Sequence, residues 1–166
     1  MTLRAVVLAD THLRAGSRRR LPERVVQLLE GADVILHAGD VVDAGVLETL
    51  QAMAPTYAVL GNNDHTLTGR LPLVADLELD GVRIAMVHDS GPVAGRAARM
   101  RRRFPDAALV VFGHSHVPVD IEGLGGQRLF NPGSPTQRRA QPHRTAGIVE
   151  LADGAICSTE VVVVDD

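Results

Sequence analysis

Short apolar runs separated by amphipathic segments fill the first 60 residues of the chain. The runs at 3–9, 34–36 and 57–60 consist mostly of aliphatic residues with polar residues at their ends. Short apolar runs of this kind are typical of buried β-strands. Two further runs, at 73–80 and 82–88, are separated only by Gly81 and therefore predict a hairpin.

Three segments carry apolar residues at helical spacing. The first is predicted to begin at Pro22 and end at Gly31. The second ends before Pro55, and its expected apolar face consists of Val46, Leu50 and Met53. The third spans about 94–104, and its expected apolar face consists of Val93, Ala97, Met100 and Phe104.

The order of these elements predicts an α/β fold. A β-α-β-α-β succession within about 60 residues implies a parallel sheet with right-handed crossovers. After the third helix come a strand at 109–112 and several short strands separated by glycine-rich turns, ending with the valines at 161–164. We therefore expect a single domain over residues 1–166 with two β-sheets in its core.

Composition places the chain among ordinary globular proteins and narrows its partners. With 45% hydrophobic residues the chain has enough material for a core, and no segment approaches the length of a membrane span. A single cysteine, Cys157, excludes an internal disulfide and fits a cytoplasmic location, and we expect it to pack in a buried strand. A net charge of −3 and 2% aromatic residues argue against nucleic acid as a partner.

Polar residues of metal-binding types follow several of the predicted strands. In open α/β sheets, ligands bind beyond the carboxyl ends of the strands. The residues collected there provide only carboxylate, imidazole and amide donors: Asp10, His12, Asp40, Asn62, His88, His114 and His116. Spacing of two residues on an extended backbone would point Asp10 with His12, and His114 with His116, the same way. These side chains are therefore predicted to meet at one metal site.

Seven ligands exceed what one tetrahedral ion needs and suit two divalent ions that share a carboxylate. The mixed donor set favours Mn²⁺, with iron, Zn²⁺, Ni²⁺ and Co²⁺ as alternatives. Two such ions with two aspartates and a bridging hydroxide leave a site of net positive charge, which favours an anionic substrate. The predicted reaction is hydrolysis of a phosphate ester in which a metal-bound water is the nucleophile.

With these motifs in place, the sequence resembles the calcineurin-like metallophosphoesterase superfamily, in particular its small bacterial and archaeal phosphodiesterase branch. The motifs that carry the resemblance are D-T-H at 10–12, G-D-V-V-D at 39–43, G-N-N-D at 61–64, His88, G-H-S-H at 113–116 and N-P-G-S at 131–134. The resemblance covers about residues 5 to 135. It implies two stacked mixed β-sheets flanked by helices.

The resemblance also implies how the ligands divide between two ions. The first ion would be held by Asp10, His12, Asp40 and His116. The second would be held by Asp40, Asn62, His88 and His114, with Asp40 bridging.

Three positions that follow the predicted ligand Asn62 bear on catalysis. Many members of the family have a histidine where this chain has Asn63, which could contact the phosphate but cannot act as a general acid. Asp64 is expected to orient the ligands without binding a metal ion itself. His65 could replace the missing histidine, although a solvated loop residue is the simpler interpretation.

Several alternatives remain open from the sequence. A phosphomonoesterase or a nuclease would use the same site, and the small retromer subunit of this superfamily shows that a non-catalytic scaffold can share the fold. The expected partner is a small phosphate-ester substrate, with no membrane and with self-association left open. Arginine runs at 18–20 and 138–139 could border the cleft, although a hydrated surface is the commoner role for such runs.

Overall fold

Two five-stranded sheets stacked face to face form the centre of the protein. The computed structural model describes all 166 residues. In the first sheet the strands lie in the order β10-β9-β1-β2-β3, and in the second in the order β4-β5-β6-β8-β7. The strands are β1 Leu3–Leu8, β2 Val34–His37, β3 Thr56–Ala58, β4 Val74–Leu79, β5 Val82–Val87, β6 Leu109–Val111, β7 Val119–Glu122, β8 Arg128–Asn131, β9 Thr145–Ala152 and β10 Ala155–Val163.

Both sheets are mixed, with a parallel centre. Strands β1, β2 and β3 are parallel, as are β5, β6 and β8, whereas β4, β7, β9 and β10 pair antiparallel with their neighbours. Three α-helices cover the outer faces: α1 Glu23–Glu30, α2 Ala44–Met53 and α3 Arg96–Arg103. The predicted fold class is therefore confirmed, and the carboxyl ends of parallel strands from both sheets lie at one edge of the stack.

Alternation along β1 shows how the layers are filled. Ala5 and Val7 face the second sheet, where they join the largest core cluster, which includes Phe130. Val6 and Leu8 face the opposite way and pack in a second cluster that contains the apolar residues of α1. Because successive strand residues point to opposite faces, a strand whose residues are all apolar must be covered on both sides.

Some sequence predictions about burial are wrong. Val93 is 78% exposed because the left-handed Gly95, with φ of 72°, starts α3 after it. In α2 the buried residues are Leu47 and Leu50, and Met53 is exposed at the end of the helix. Cys157 is exposed rather than packed in the core, since the pairing of β9 with β10 shifts register between Ile156 and Ser158.

The longest helix, α2, has 10 residues. No helix in the structure has the length and apolar character that crossing a bilayer requires.

Candidate metal centre

The seven predicted ligands lie in one cleft at the edge of the sheet stack. They follow strands of both sheets and come from five separate loops. Four are buried, His12 is half-buried, and Asn62 and His114 are exposed at the mouth of the cleft. The position agrees with the general rule that open α/β sheets bind ligands beyond the carboxyl ends of their strands.

An unusual backbone conformation brings most of these side chains into the cleft. Five of the seven have positive φ angles between 44° and 71°, a conformation uncommon for residues other than glycine: Asp10, His12, Asp40, His114 and His116. Such a conformation costs roughly 1–2 kcal/mol per residue and tends to cluster at functional sites. The expectation that the spaced pairs lie on extended backbone is therefore wrong, because the chain turns at each ligand instead.

Asp10, His12 and His116 form the first group of donors. The Asp10 Oδ1 atom lies 3.9 Å from His12 Nε2 and 3.6 Å from His116 Nε2. All three atoms are buried and have no hydrogen-bond partner. Because buried polar atoms are nearly always paired, three convergent orphan atoms indicate that a cation belongs between them.

The tautomer of His116 supports this interpretation. Its Nδ1 atom lies 2.5 Å from the backbone oxygen of Gln137, which can only accept, so Nδ1 carries the proton. The Nε2 atom that faces Asp10 is therefore left with a lone pair, as a metal ligand requires. Burial lowers the pKa of His116 to about 4, so the ring is neutral at pH 7.

Asp40, Asn62, His88 and His114 form the second group. Asp40 Oδ2 lies 3.3 Å from His12 Nε2 and 3.4 Å from His88 Nε2, between the two groups. Asn62 Oδ1 lies 2.9 Å from His88 Nε2 and 3.2 Å from His114 Nδ1. The two histidines of the 113–116 motif therefore belong to different groups, and do not converge on one point as their spacing suggested.

His88 faces oxygen atoms on every side of its free nitrogen. Its Nδ1 atom donates to the Ala38 backbone oxygen at 2.7 Å, so Nε2 faces the oxygens of Asp10, Asp40 and Asn62. Burial alone would lower the pKa of His88, but its contacts with Asp40 and Asp10 raise it above the usual value. A proton or a metal ion is needed to reconcile this lone pair with the surrounding oxygens.

The two aspartates differ in their electrostatics. Burial raises the pKa of Asp10 to about 7, and the nearby Asp40 carboxylate adds to the shift. Burial acts in the same direction on Asp40, but the contact with the His88 ring and the hydrogen bonds from Asn63 outweigh it and lower its pKa. Asp40 is therefore a stable anion, whereas ionised Asp10 is held at a cost that a cation would relieve.

Asp64 and Asn63 hold the loop of Asp40. The Asp64 carboxylate accepts from the backbone nitrogens of Asp40 at 2.9 Å, Val42 at 2.6 Å and Gly61 at 2.7 Å. Asn63 donates to Asp40 twice, from its backbone nitrogen and from its side-chain amide, each at 2.8 Å. Asp64 thus ties two ligand loops together from beneath, and the Asn63 amide contacts the central carboxylate. His65 is exposed and lines a neighbouring hollow with Asn63.

Side chains between residues 131 and 136 support two of the ligand loops, and sequence reasoning assigned them no role. Ser134 donates to the backbone oxygen of Asp10 at 2.8 Å, and Thr136 donates to that of Thr11 at 2.6 Å. Asn131 donates to the backbone oxygen of Gly113 at 3.0 Å. The N-P-G-S motif at 131–134 was the available signal, and its function here is to fix the ligand loops.

Gly61 sits so close to Asp40 that no side chain fits. A Cβ atom at this position would lie 2.8 Å from Asp40 Cγ and would overlap its backbone nitrogen, whereas a Cβ at Gly31 would meet only the Leu28 oxygen at 3.8 Å. We expect Gly61→Ala to displace Asp40 and weaken Mn²⁺ binding by about 10–100-fold, the range typical of disturbed ligand support.

Gly31→Ala is the matched control for this substitution. Titration with Mn²⁺ by calorimetry should give the wild-type affinity for Gly31→Ala and the weakened one for Gly61→Ala. Wild-type affinity in folded Gly61→Ala would show that Asp40 is not held where the contacts place it.

Comparison with known proteins relates the chain to hydrolases of phosphate esters. The family model of the calcineurin-like phosphoesterase superfamily domain matches residues 3–154. A curated protein of Methanocaldococcus jannaschii, named a probable metallophosphoesterase, is 34% identical over 137 residues, which span 80% of this chain and 68% of the relative.

Two solved structures show the same fold. Vps29 of Entamoeba histolytica, crystallised in complex with Zn²⁺, has a TM-score of 0.71 at 20% identity, covering 98% of this chain and 100% of that one. A protein described as a novel archaeal phosphodiesterase has a TM-score of 0.69 at 18% identity, covering 96% of this chain and 100% of that one. At these identities the likeness establishes the fold alone.

Proposed function

The chain belongs to the calcineurin-like phosphoesterase superfamily and is a metal-dependent phosphoesterase, and we propose that it hydrolyses phosphodiesters with two divalent ions in its cleft. The observation that carries the proposal is the set of convergent unpaired atoms on Asp10, His12 and His116, beside a second donor group around His88. The position of Asp40 Oδ2 between His12 and His88 favours Asp40 as the shared ligand.

The net charge of the metal-loaded site would favour an anionic substrate. Two divalent ions would carry four positive charges, and Asp10 and Asp40 would neutralise two of them. When bound, the ions would activate a water molecule near neutral pH and stabilise the charge that develops on the phosphoryl oxygens. Imidazole, carboxylate and amide donors favour Mn²⁺ or a similar borderline ion, and the absence of thiolate ligands argues against a structural zinc site.

The residues of the chain supply binding and orientation rather than a covalent intermediate. Water forms the new bond to phosphorus as the bond to the leaving oxygen breaks, so the leaving group departs as an alkoxide or phenolate unless an acid protonates it. Asn63 holds the place where a histidine would serve as that acid, and an amide has no proton to give at neutral pH. We therefore expect a preference for esters of acidic leaving groups.

Rates on matched esters test the proposal. With Mn²⁺ present, bis(p-nitrophenyl) phosphate should be hydrolysed faster than p-nitrophenyl phosphate, and its rate should fall steeply for diesters of less acidic phenols. Asn63→His should reduce that dependence on the leaving group, whereas a rate on the monoester that exceeds the diester rate would favour the phosphomonoesterase alternative.

A non-catalytic scaffold is the alternative from another class. A purely assembling protein has no need for seven metal-ligand side chains in one cleft. Lack of turnover of both p-nitrophenyl esters by the protein loaded with Mn²⁺ would contradict the enzymatic proposal and favour the scaffold.

A further inference from the structure

A polar hollow beside the metal centre carries arginines that the proposed reaction does not use. It has a volume of about 450 Å³ and no apolar lining residue. We call it the arginine pocket, and its lining residues are His12, Arg14, Ser17, Arg18, Arg19 and Gln137. Because His12 also faces the metal centre, a group bound in this pocket would lie directly beside a phosphate bound in the cleft.

Arg19 is fixed to the metal centre by hydrogen bonds. Its Nη1 atom donates to the backbone oxygen of His12 at 3.1 Å. The side-chain oxygen of Gln137, in the amide orientation that satisfies both partners, accepts from Nη1 at 2.5 Å and Nη2 at 3.0 Å. The backbone oxygen of Gln137 in turn holds the ring of His116. The position of this guanidinium is therefore set relative to two of the predicted metal ligands.

The charge in the arginine pocket is not compensated. None of Arg14, Arg18 and Arg19 has a carboxylate oxygen within 4.0 Å, because the ion pairs of the protein involve other arginines. Asp43 lies nearby, but its carboxylate accepts from the backbone nitrogens of Ala15 and Gly45 and caps α2. The pocket therefore presents three positive charges without an anion of its own.

An unpaired hydroxyl adds a second and independent observation. Ser17 Oγ is buried and has no hydrogen-bond partner, and Ser17 is one of the residues that line the arginine pocket. Guanidinium groups combined with a hydroxyl donor form a typical binding site for a phosphate group, since they offer several directed N–H and O–H donors around a dianion.

From this arrangement we infer that the substrate is a phosphodiester that bears a second phosphate group, and that this second phosphate binds in the arginine pocket while the scissile diester lies at the metal centre. The inference rests on the proposed function, because it assigns the cleft to the scissile phosphate. It adds the substrate class: a phosphodiester with a second phosphate group rather than one whose only phosphate is the scissile diester.

Two esters that share a leaving group test the inference. Thymidine 5′-(p-nitrophenyl phosphate) carries only the scissile diester, and its 3′-phosphorylated derivative carries a second phosphate. With Mn²⁺ present, we expect kcat/KM to be at least ~10-fold higher for the 3′-phosphorylated ester, as charge-assisted bonds to phosphate imply. In the double variant Arg14→Ala/Arg18→Ala this ratio should fall towards 1.

Arg24→Ala is the matched control, since Arg24 is an exposed arginine on α1 whose side chain donates a hydrogen bond to Gln27 and forms no ion pair. It should keep the wild-type ratio. Calorimetry with thymidine 3′,5′-bisphosphate, performed on protein stripped of metal by a chelator, supplies a readout that does not depend on turnover. The double variant should bind the bisphosphate ~10-fold more weakly than the wild type or Arg24→Ala.

The possible failures can be told apart. Hydrolysis of both esters with equal kcat/KM would overturn the inference and leave the proposed function standing. No hydrolysis of either would overturn the proposed function and the inference with it. Binding of a single-stranded oligonucleotide more tightly than the bisphosphate, and its loss in the double variant, would show that the arginine pocket serves a polynucleotide and would also overturn the inference.

Discussion

Asp40→Asn is expected to lower kcat/KM for bis(p-nitrophenyl) phosphate by ~10³-fold or more, because it neutralises the carboxylate at the centre of both donor groups. The substitution keeps the shape of the side chain, so the loss would report on charge and ligand strength rather than on packing. The new asparagine would also lose a hydrogen bond. Asn63 donates to both carboxylate oxygens of Asp40, and an amide nitrogen in place of either oxygen cannot accept.

The measurement is steady-state hydrolysis at several Mn²⁺ concentrations, with the folded state of the variant checked by circular dichroism. Asp106→Asn is the matched control, because Asp106 is exposed and only pairs with Arg83 at 3.7 Å. This control should keep the wild-type rate. A folded Asp40→Asn variant with undiminished activity would mean that Asp40 is not a ligand, and the proposed metal centre would have to be abandoned.

The sequence allowed the fold and the ligand loops to be predicted for a definable reason. Apolar runs mark strands, and polar residues at their ends must gather at one edge of a parallel sheet. The chain order of β1, β2 and β3 therefore sufficed to place Asp10 and Asp40 near each other. The motif at 113–116 joined them because β6 lies in the centre of the second sheet with its carboxyl end at the same edge.

Side-chain directions were beyond the sequence pattern because they depend on backbone torsions. The left-handed conformation of His114 and His116 sends the two rings to different donor groups, whereas an extended chain would send them to one. The prediction that Cys157 is buried is wrong for a related reason. The register shift between Ile156 and Ser158 cannot be seen in the composition of the strand. The arginine pocket likewise depends on how Arg19 folds back onto the loop of His12, which is a tertiary contact.

Asp10→Asn is expected to have opposite effects on stability without and with metal. In the absence of metal, burial raises the pKa of Asp10 from 3.8 to about 7. The folded protein then binds a proton more readily than the unfolded chain does, so stability is lost as pH rises from about 4 to about 7 and stays low above that range. About 1.4 kcal/mol per pKa unit makes this loss on the order of 4 kcal/mol at pH 8.

The asparagine removes this cost and adds donors where they are lacking. Its amide would face His12 Nε2 and His116 Nε2, the unpaired atoms 3.9 Å and 3.6 Å from Asp10 Oδ1. Its oxygen could still accept from the backbone nitrogen of His114, as Asp10 Oδ2 does at 2.9 Å. At pH 8 with a chelator present, the variant should therefore unfold several degrees above the wild type, at roughly 2–4 °C per kcal/mol.

Saturating Mn²⁺ should reverse the order of the two proteins. A ligand that binds only the folded state stabilises it in proportion to the logarithm of its concentration over Kd, so the wild type should gain several degrees and Asp10→Asn should gain little. Thermal unfolding of wild type, Asp10→Asn and Asp106→Asn at pH 5 and pH 8 gives the comparison, with Asp106→Asn following the wild type throughout. Two results would contradict this interpretation: chelator-treated Asp10→Asn unfolding at a lower temperature than the wild type at pH 8, or Mn²⁺ raising the unfolding temperature of both proteins equally. Either would show that the buried carboxylate does not destabilise the metal-free protein or does not bind the cation.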